Sequence, residues 1–337
     1  MIGRLCFAAA LAAASAAAQR FPENPLITVS ASKSLGDNVN GPSVIRLPAW
    51  IQRPLGRYYL YFAHHKGDHI RLAYSDSLRG PWKIYEPGVL QVKDTIFYRP
   101  QPDPPDSPPS LYTHVASPEV FIDELHKQLV MYVHGMWTDG KPWPANLENA
   151  AAWLRENGYA QYTQTAVSGD GLHFQLQPGI SLKTSYLRVF RYAGAWYGMA
   201  RLGVLAKTEN PLAAFALGPN PFAGGPYAGR VRHVAALPRG NTLFVFFSAI
   251  GDAPEKILLT RLALTGDWQN WKASAPVEVL VPHERYECVD LPVVPSQAGE
   301  SEGPEHALRD PALFEENGKV FLFYSVCGEQ GIGANRQ

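Results

Sequence analysis

Residues 309–326 read RDPALFEENGKVFLFYSV. A charged pair and a proline lead into a short apolar run at 312–314. A polar turn with Asn317-Gly318 at its tip follows, then a second apolar run at 320–326. Asn-Gly between two β-prone runs predicts a tight hairpin, because both residues tolerate the positive φ of a primed turn. The phrase recurs upstream as GPSVIRLP followed by GRYYLYFAHH, as SPEVFIDELHKQLVMYVHG, as SYLRVFRYAGAWYGMAR and as VRHVAALPRGNTLFVFFSAIG.

One such hairpin cannot bury its own apolar faces, so five imperfect copies imply a radial array. Within the units a second phrase repeats, in which a strand runs to a Ser-Asp or Gly-Asp turn and an aromatic strand follows. Asp76, Asp170 and Asp267 mark these turns and read as structural. Each unit then has about four strands, as propeller blades do. The expected fold is all-β, a five-bladed β-propeller over residues 19–337 with blades opening near Gly41, Ser117, Ser185, Val231 and Arg309. The β-prone segment 26–30 is expected to complete the last blade, which lacks outer strands of its own and would otherwise leave an open edge.

The chain has 337 residues, 46% hydrophobic, with formal net charge zero. A balanced charge carries no footprint for nucleic acid or an anionic membrane. Residues 1–18 hold Arg4, an Ala-rich apolar run and a small-residue pattern at Ala16–Ala18, which reads as a secretory signal peptide. The expected location is secreted or periplasmic, with no membrane partner after cleavage. Cys288 and Cys327 then remain, and export leaves them either paired or as two buried thiols. A proline-dense connector, RPQPDPPDSPP, and an insertion at 137–159 interrupt the repeats. The sequence ENAAAWLRENG in that insertion predicts the one short helix.

In a propeller the inner strands all start at the same end of the central channel, so the residues that open them converge on one funnel. This rule selects Asp37, Asn38 and Asn40 from blade one and His114, Ser117 and Glu119 from blade two. Blades three and four supply Tyr186, Arg188, Arg232 and His233. Blade five supplies Glu302, Glu305, His306, Arg309 and Asp310. Carboxylates, His and Arg around one cavity suit glycosidic cleavage, in which one acid protonates the leaving oxygen while another activates water.

Asp310-Pro311 at a blade start and Ser117-Pro118-Glu119 before an apolar strand resemble the five-bladed propeller glycosidases: arabinanases, invertases, levansucrases, and glycoside hydrolase families 43, 117 and 130. In those families an inner-strand Asp of blade one is base or nucleophile, a second Asp tunes pKa and a Glu is the acid. Here the first place is Asn40-Gly41-Pro42, with Asp37 the nearest carboxylate, and the second is Ser117, with Glu119 two residues on. Tyr286-Glu287-Cys288-Val289-Asp290 is similar to the invertase acid motif but precedes the Asp310 motif, the reverse of the invertase order.

The resemblance implies an inverting glycoside hydrolase on an oligosaccharide, and exo action is expected because the helical insertion and the proline-dense connector can close one side of the funnel. Glu119 and Asp310 are the expected carboxylates, with Asp37 as alternative base. Asn40, His114, Tyr186, Arg188, Arg232, His233 and Arg309 are expected to bind substrate, and a funnel His to serve as acid or to help hold an axial ion. No cofactor is required and no metal ligand is assigned; a structural calcium ion on the axis is the one metal the resemblance allows. The alternatives are a phosphorylase, with Arg residues holding phosphate, and a non-catalytic sugar-binding propeller.

Overall fold

The computed structural model describes residues 19–99, 112–137, 156 and 160–337. The expected signal peptide, most of the proline-dense connector and, but for Glu156, the expected helix lie outside the described residues. Two short N-terminal strands, β1 (Gln19–Arg20) and β2 (Ile27–Thr28), precede the first blade. Blade one is β3 (Asn40–Arg46), β4 (Tyr58–Ala63), β5 (His69–Ser75) and β6 (Lys83–Gln91). Blade two is β7 (Ala116–Asp123), β8 (Gln128–Trp137), β9 (Ala160–Ser168) and β10 (Gln175–Leu176). Blade three is β11 (Arg188–Tyr192), β12 (Ala195–Met199), β13 (Leu205–Thr208) and β14 (Ala216–Leu217). Blade four is β15 (Val231–Arg239), β16 (Thr242–Ala249), β17 (Ile257–Ala263) and β18 (Val277–Leu280). Blade five has β19 (Leu308–Glu316), β20 (Lys319–Val326) and β21 (Gly331–Arg336) from the C-terminal side.

The opening hairpin forms as its sequence dictates. Glu316 pairs with Lys319, leaving Asn317 and Gly318 as the two-residue turn, at φ 51° and 71°. The N-terminal segment closes blade five, with one refinement. Ile27 and Thr28 pair with Ile332 and Gly331, while Gln19 and Arg20 pair with Arg336 and Asn335. Blade five thus has its own third strand, and β1 supplies the fourth. Five apolar clusters fill the joints between blades. The β4 strand shows why its sequence is apolar throughout: Tyr59 and Tyr61 pack toward blade two, and Tyr58, Leu60 and Phe62 toward blade five.

The inner strands open alike. The ladder is interrupted between Asn40 and Ser43, Ala116 and Glu119, Val231 and Val234, and Arg309 and Ala312. Ser43, Glu119, Arg188, Val234 and Ala312 all pair with equivalent second-strand residues, so Gly41, Ser117, Tyr186, Arg232 and Asp310 share one position. Four of the five stand at left-handed φ, between 44° and 59°. Residues two places on, Ser43, Glu119, Arg188 and Ala312, line a small cavity farther along the inner strands. Cys288 and Cys327 are disulfide-bonded, with Cα atoms 5.0 Å apart, tying the loop before blade five to the end of β20.

Candidate functional site

A small cavity of about 80 Å³, open to solvent, lies at the end of the axis where the inner strands begin. Tyr186, Arg232 and His233 line it from the inner strands. His65, Arg201 and Ile250 come from just beyond the second strands of three blades, and His114, Gln161 and the 298–300 loop complete the wall. The second strands contribute because they are antiparallel to the first and end where the first begin.

Asp310 is fully buried behind this wall. Its carboxylate accepts hydrogen bonds from His233 Nδ1 and, at 2.9 Å, from the Ser325 hydroxyl. A carboxylate cannot donate, so Nδ1 carries the proton. Burial, reinforced by the charges of Arg232, His65 and Arg188, pushes the His233 imidazole well below its ordinary value and keeps it neutral. Its Nε2 therefore presents a bare lone pair, and that atom is buried without a partner. His233 is 5% exposed and borders the cavity. Tyr186 packs between two imidazoles, 4.0 Å from the His233 ring and 4.2 Å from that of His134. Burial pushes its hydroxyl up to about 12. His134 Nε2 is likewise buried and unpartnered, and burial holds that imidazole well below its ordinary value too.

Under the funnel lies a dense ionic network. Arg309, fully buried, faces Glu255 at 3.2 Å and Glu329 at 3.3 Å, and also bonds Glu305. Glu255 receives Arg232 Nε at 2.8 Å, and Arg232 in turn donates to the carbonyls of Gly299 and Gln297, fixing the 298–300 wall. Burial alone would raise Glu329, but His65, Arg309 and Asn38 together hold it well below the usual carboxylate range. Asn40 joins through Asn38 at 2.8 Å. Glu300 in the wall pairs with Lys66 at 2.7 Å.

Of the residues selected from sequence, His114, Tyr186, Arg232 and His233 meet in the funnel, with Asp310, Asn40 and Arg309 directly behind it. Two of the expected catalytic carboxylates are elsewhere. The Asp37 side chain is 94% exposed and is held by His64 Nε2 at 2.8 Å, outside the funnel wall. Glu119 faces a separate small cavity with Ser43, Arg188, Ala235 and Ala312, two to three residues farther along the inner strands, roughly 7–10 Å at strand rise. There it accepts from Arg188 Nη1 at 2.6 Å. At Ser117 the backbone is left-handed, and the residue two places on, Glu119, lines the separate cavity rather than the funnel. Arg188, expected as a substrate ligand, is committed to Glu119 and to the carbonyls of Pro118 and Pro42 at 2.9 and 3.0 Å.

Glu287 is also structural. It is buried and holds Arg20 of β1 at 2.8 Å, and it accepts from Tyr324 at 3.2 Å. Glu302 is exposed, and His306 bonds the Leu291 carbonyl at 3.1 Å. The groups missed from sequence are His65, His134, Arg201, Glu255, Glu300 and Glu329. Three of them lie just past second strands, in AHH, MAR and VCGE, and antiparallel pairing alone would have selected those.

A calcium ion takes six to eight oxygen ligands. At the hub the Pro42 and Pro118 carbonyls already accept from the Arg188 guanidinium. No group of three or more His, Cys, Asp or Glu among the described residues is disposed to hold a metal. These two carbonyls are taken by Arg188, so this part of the hub does not fit a calcium ion.

No protein-family model matches the chain. Several solved structures share its shape. One is a β-xylosidase/α-arabinofuranosidase of glycoside hydrolase family 43 from a compost microbial metagenome, with TM-score 0.55, 13% identity and 93% of each chain covered. Another is an α-L-arabinofuranosidase from Lactobacillus brevis, with TM-score 0.52, 13% identity and 93% and 92% covered. A third is an exo-1,5-α-L-arabinanase from a bovine ruminal metagenomic library, with TM-score 0.50, 10% identity and 89% and 92% covered. The fold is therefore that of the five-bladed propeller glycoside hydrolases. In sequence the chain is 30% identical over 338 residues to uncharacterized protein R118 of Acanthamoeba polyphaga mimivirus, across 94% of this chain and 89% of that one. Such identity, sustained over almost the full length of both, makes the chain a member of the R118 family, built on the glycoside hydrolase propeller.

Proposed function

We propose that the protein is an exported glycoside hydrolase that cleaves sugars from the end of an oligosaccharide seated in the funnel, with inversion. The observation that carries this reading is His233: a neutral imidazole anchored through Nδ1 by a buried carboxylate, with a bare Nε2 beside a cavity. A base so held takes a proton from water as the water attacks the anomeric carbon. Glu300 is the carboxyl in the funnel wall and is assigned as the acid for the leaving oxygen, taking up a proton from solvent as it leaves its Lys66 ion pair on substrate entry. A single-displacement reaction by this base and acid inverts the anomeric centre. Action at a chain end is supported by the floor, where Arg188 and Glu119 close the channel to a passing polymer. Export is supported by the leader-like residues 1–18 and by the disulfide, which suits an oxidising compartment.

A second reading, a sugar-binding propeller without catalysis, draws on Gly41 and Ser117, which stand where the resembling glycosidases carry carboxylates. Incubation with a panel of arabino-, xylo- and galacto-oligosaccharides, with and without phosphate, separates the readings. Release of reducing sugar without phosphate, abolished in H233N, is the expected outcome. Sugar-1-phosphate formed only with phosphate would point to phosphorolysis, and binding without release to the second reading.

A further inference from the structure

The funnel's charges are unequally satisfied. Each carboxylate at or behind its wall is already matched: Glu300 by Lys66 at 2.7 Å, Glu329 by His65 at 3.2 Å and Arg309, Glu255 by Arg232 and Arg309, Asp310 by His233 and Ser325. Arg201 is different. It lines the funnel and is exposed, and among the described residues its guanidinium has no hydrogen-bond or ion-pair partner. It stands just past the end of β12, its amide fixed by the Ser185 carbonyl at 2.9 Å, so its backbone is held beside Tyr186. Beside it are two nine-tenths-buried imidazoles, those of His134 and His233, whose Nε2 atoms are unpartnered. The charge left over at the mouth of this pocket is positive, and of the two open imidazoles that of His233 borders the same cavity, with His134 packed behind Tyr186.

We propose that the terminal sugar taken by the funnel is anionic, and that Arg201 grips its acidic group. This rests on the reading of the funnel as a saccharide site and names the class of saccharide. A guanidinium presents two parallel N–H donors that match a carboxylate or a sulfate ester, whereas a neutral hydroxyl uses only one. Arg201 is exposed to solvent on the cavity wall and has no protein partner among the described residues, so its fork is free to take an anion that enters. The other ionic groups around the funnel, being internally matched, leave that anion no closer rival.

The test is binding by calorimetry, with three probes on the full mature chain. These are α-1,4-digalacturonic acid, its carboxyl-reduced neutral counterpart, and galactose 6-sulfate. Wild type is expected to bind at least one anionic probe about 10- to 100-fold more tightly than the neutral disaccharide. R201Q should erase that preference at unchanged melting temperature, and R201K should keep part of it, because the charge remains and the fork is lost. Which anionic probe is preferred identifies the acid as carboxylate or sulfate. Neutral binding equal to or stronger than anionic, or an R201Q variant with the preference intact, overturns the anionic assignment while leaving the saccharide site standing. Absence of binding by all three probes overturns both.

Discussion

Two stretches of one channel can be set side by side. At the mouth, His134 and His233 are buried with bare Nε2 atoms, and Arg201 faces the cavity unmatched. Two to three residues farther along the same inner strands, Glu119 and Arg188 bind each other at 2.6 Å, and Arg188 also bonds two backbone carbonyls. The deeper stretch holds the more obvious catalytic residue type, and the mouth holds the unmatched groups. At the hub Glu119 is bound by Arg188, which ties blade two to blade three. On the proposed reading the chemistry falls at the mouth, where an acceptor and a charge are left open on a cavity.

The sharpest way to break this contrast is to exchange the consequences of mutation at the two ends. H233N should lower turnover by about 10²- to 10⁴-fold, the usual worth of a general base, while sugar binding and melting temperature stay near wild type. E119Q should do the reverse, leaving turnover within a few-fold in the same assay. A strong loss in E119Q with an active H233N would reverse the assignment of the two ends.

At the deep end the expected cost is in stability. R188M leaves Glu119 and the Pro42 and Pro118 carbonyls without their donor, and removing one partner of a buried pair costs about 3–5 kcal/mol. Denaturant midpoints measure this, and a cost under about 1 kcal/mol would show that Arg188 does not brace the hub.

At the mouth the same question is asked by pH. The buried imidazoles of His134 and His233 both lie well below their ordinary value. The unfolded chain therefore binds their protons first, near pH 6.5. The stability they contribute is complete above that pH and is lost as pH falls toward their folded values, by about 1.4 kcal/mol per pH unit for each. Denaturant curves between pH 7.5 and 5 should show this slope, and H134N should remove about half of it. The smallest expected effect is that of chelation: with Arg188 on the Pro42 and Pro118 carbonyls, EDTA should leave both melting temperature and turnover unchanged. A drop on chelation, restored by calcium, would place an ion elsewhere on the axis.

Much of the fold could be read from the chain because each blade repeats a local signal. Asn317-Gly318 makes its turn, the apolar runs make inner and second strands, and the outer Asp turns sit where expected. Asp170, for example, accepts from the Leu172 and His173 amides at 2.8 and 2.9 Å. The site was half legible. Aligning the strand openings brings His114, Tyr186, Arg232, His233 and Asp310 to one end, because strand direction alone decides that. It could not separate Ser117 from Glu119, since a bulge sends neighbouring residues to different depths and Ser117 is not a residue type that announces a left-handed turn. Nor does any sequence pattern mark Arg188 as hub cation. That role depends on carbonyls from two other blades.

The last blade combines strands from the two ends of the described chain. β1 and β2 pair with β21 at residues more than 300 positions away along the chain. During synthesis the partners of Gln19–Arg20 and Ile27–Thr28 emerge only after the other four blades have left the ribosome. Until then the first blade keeps an uncovered face and the N-terminal segment has nowhere to pair. Contacts at such separation are slow to form, so the ring should close late, after the other blades have folded. A nascent chain stalled before residue 331 should then remain open to protease at its N-terminal segment, however well its middle blades have folded.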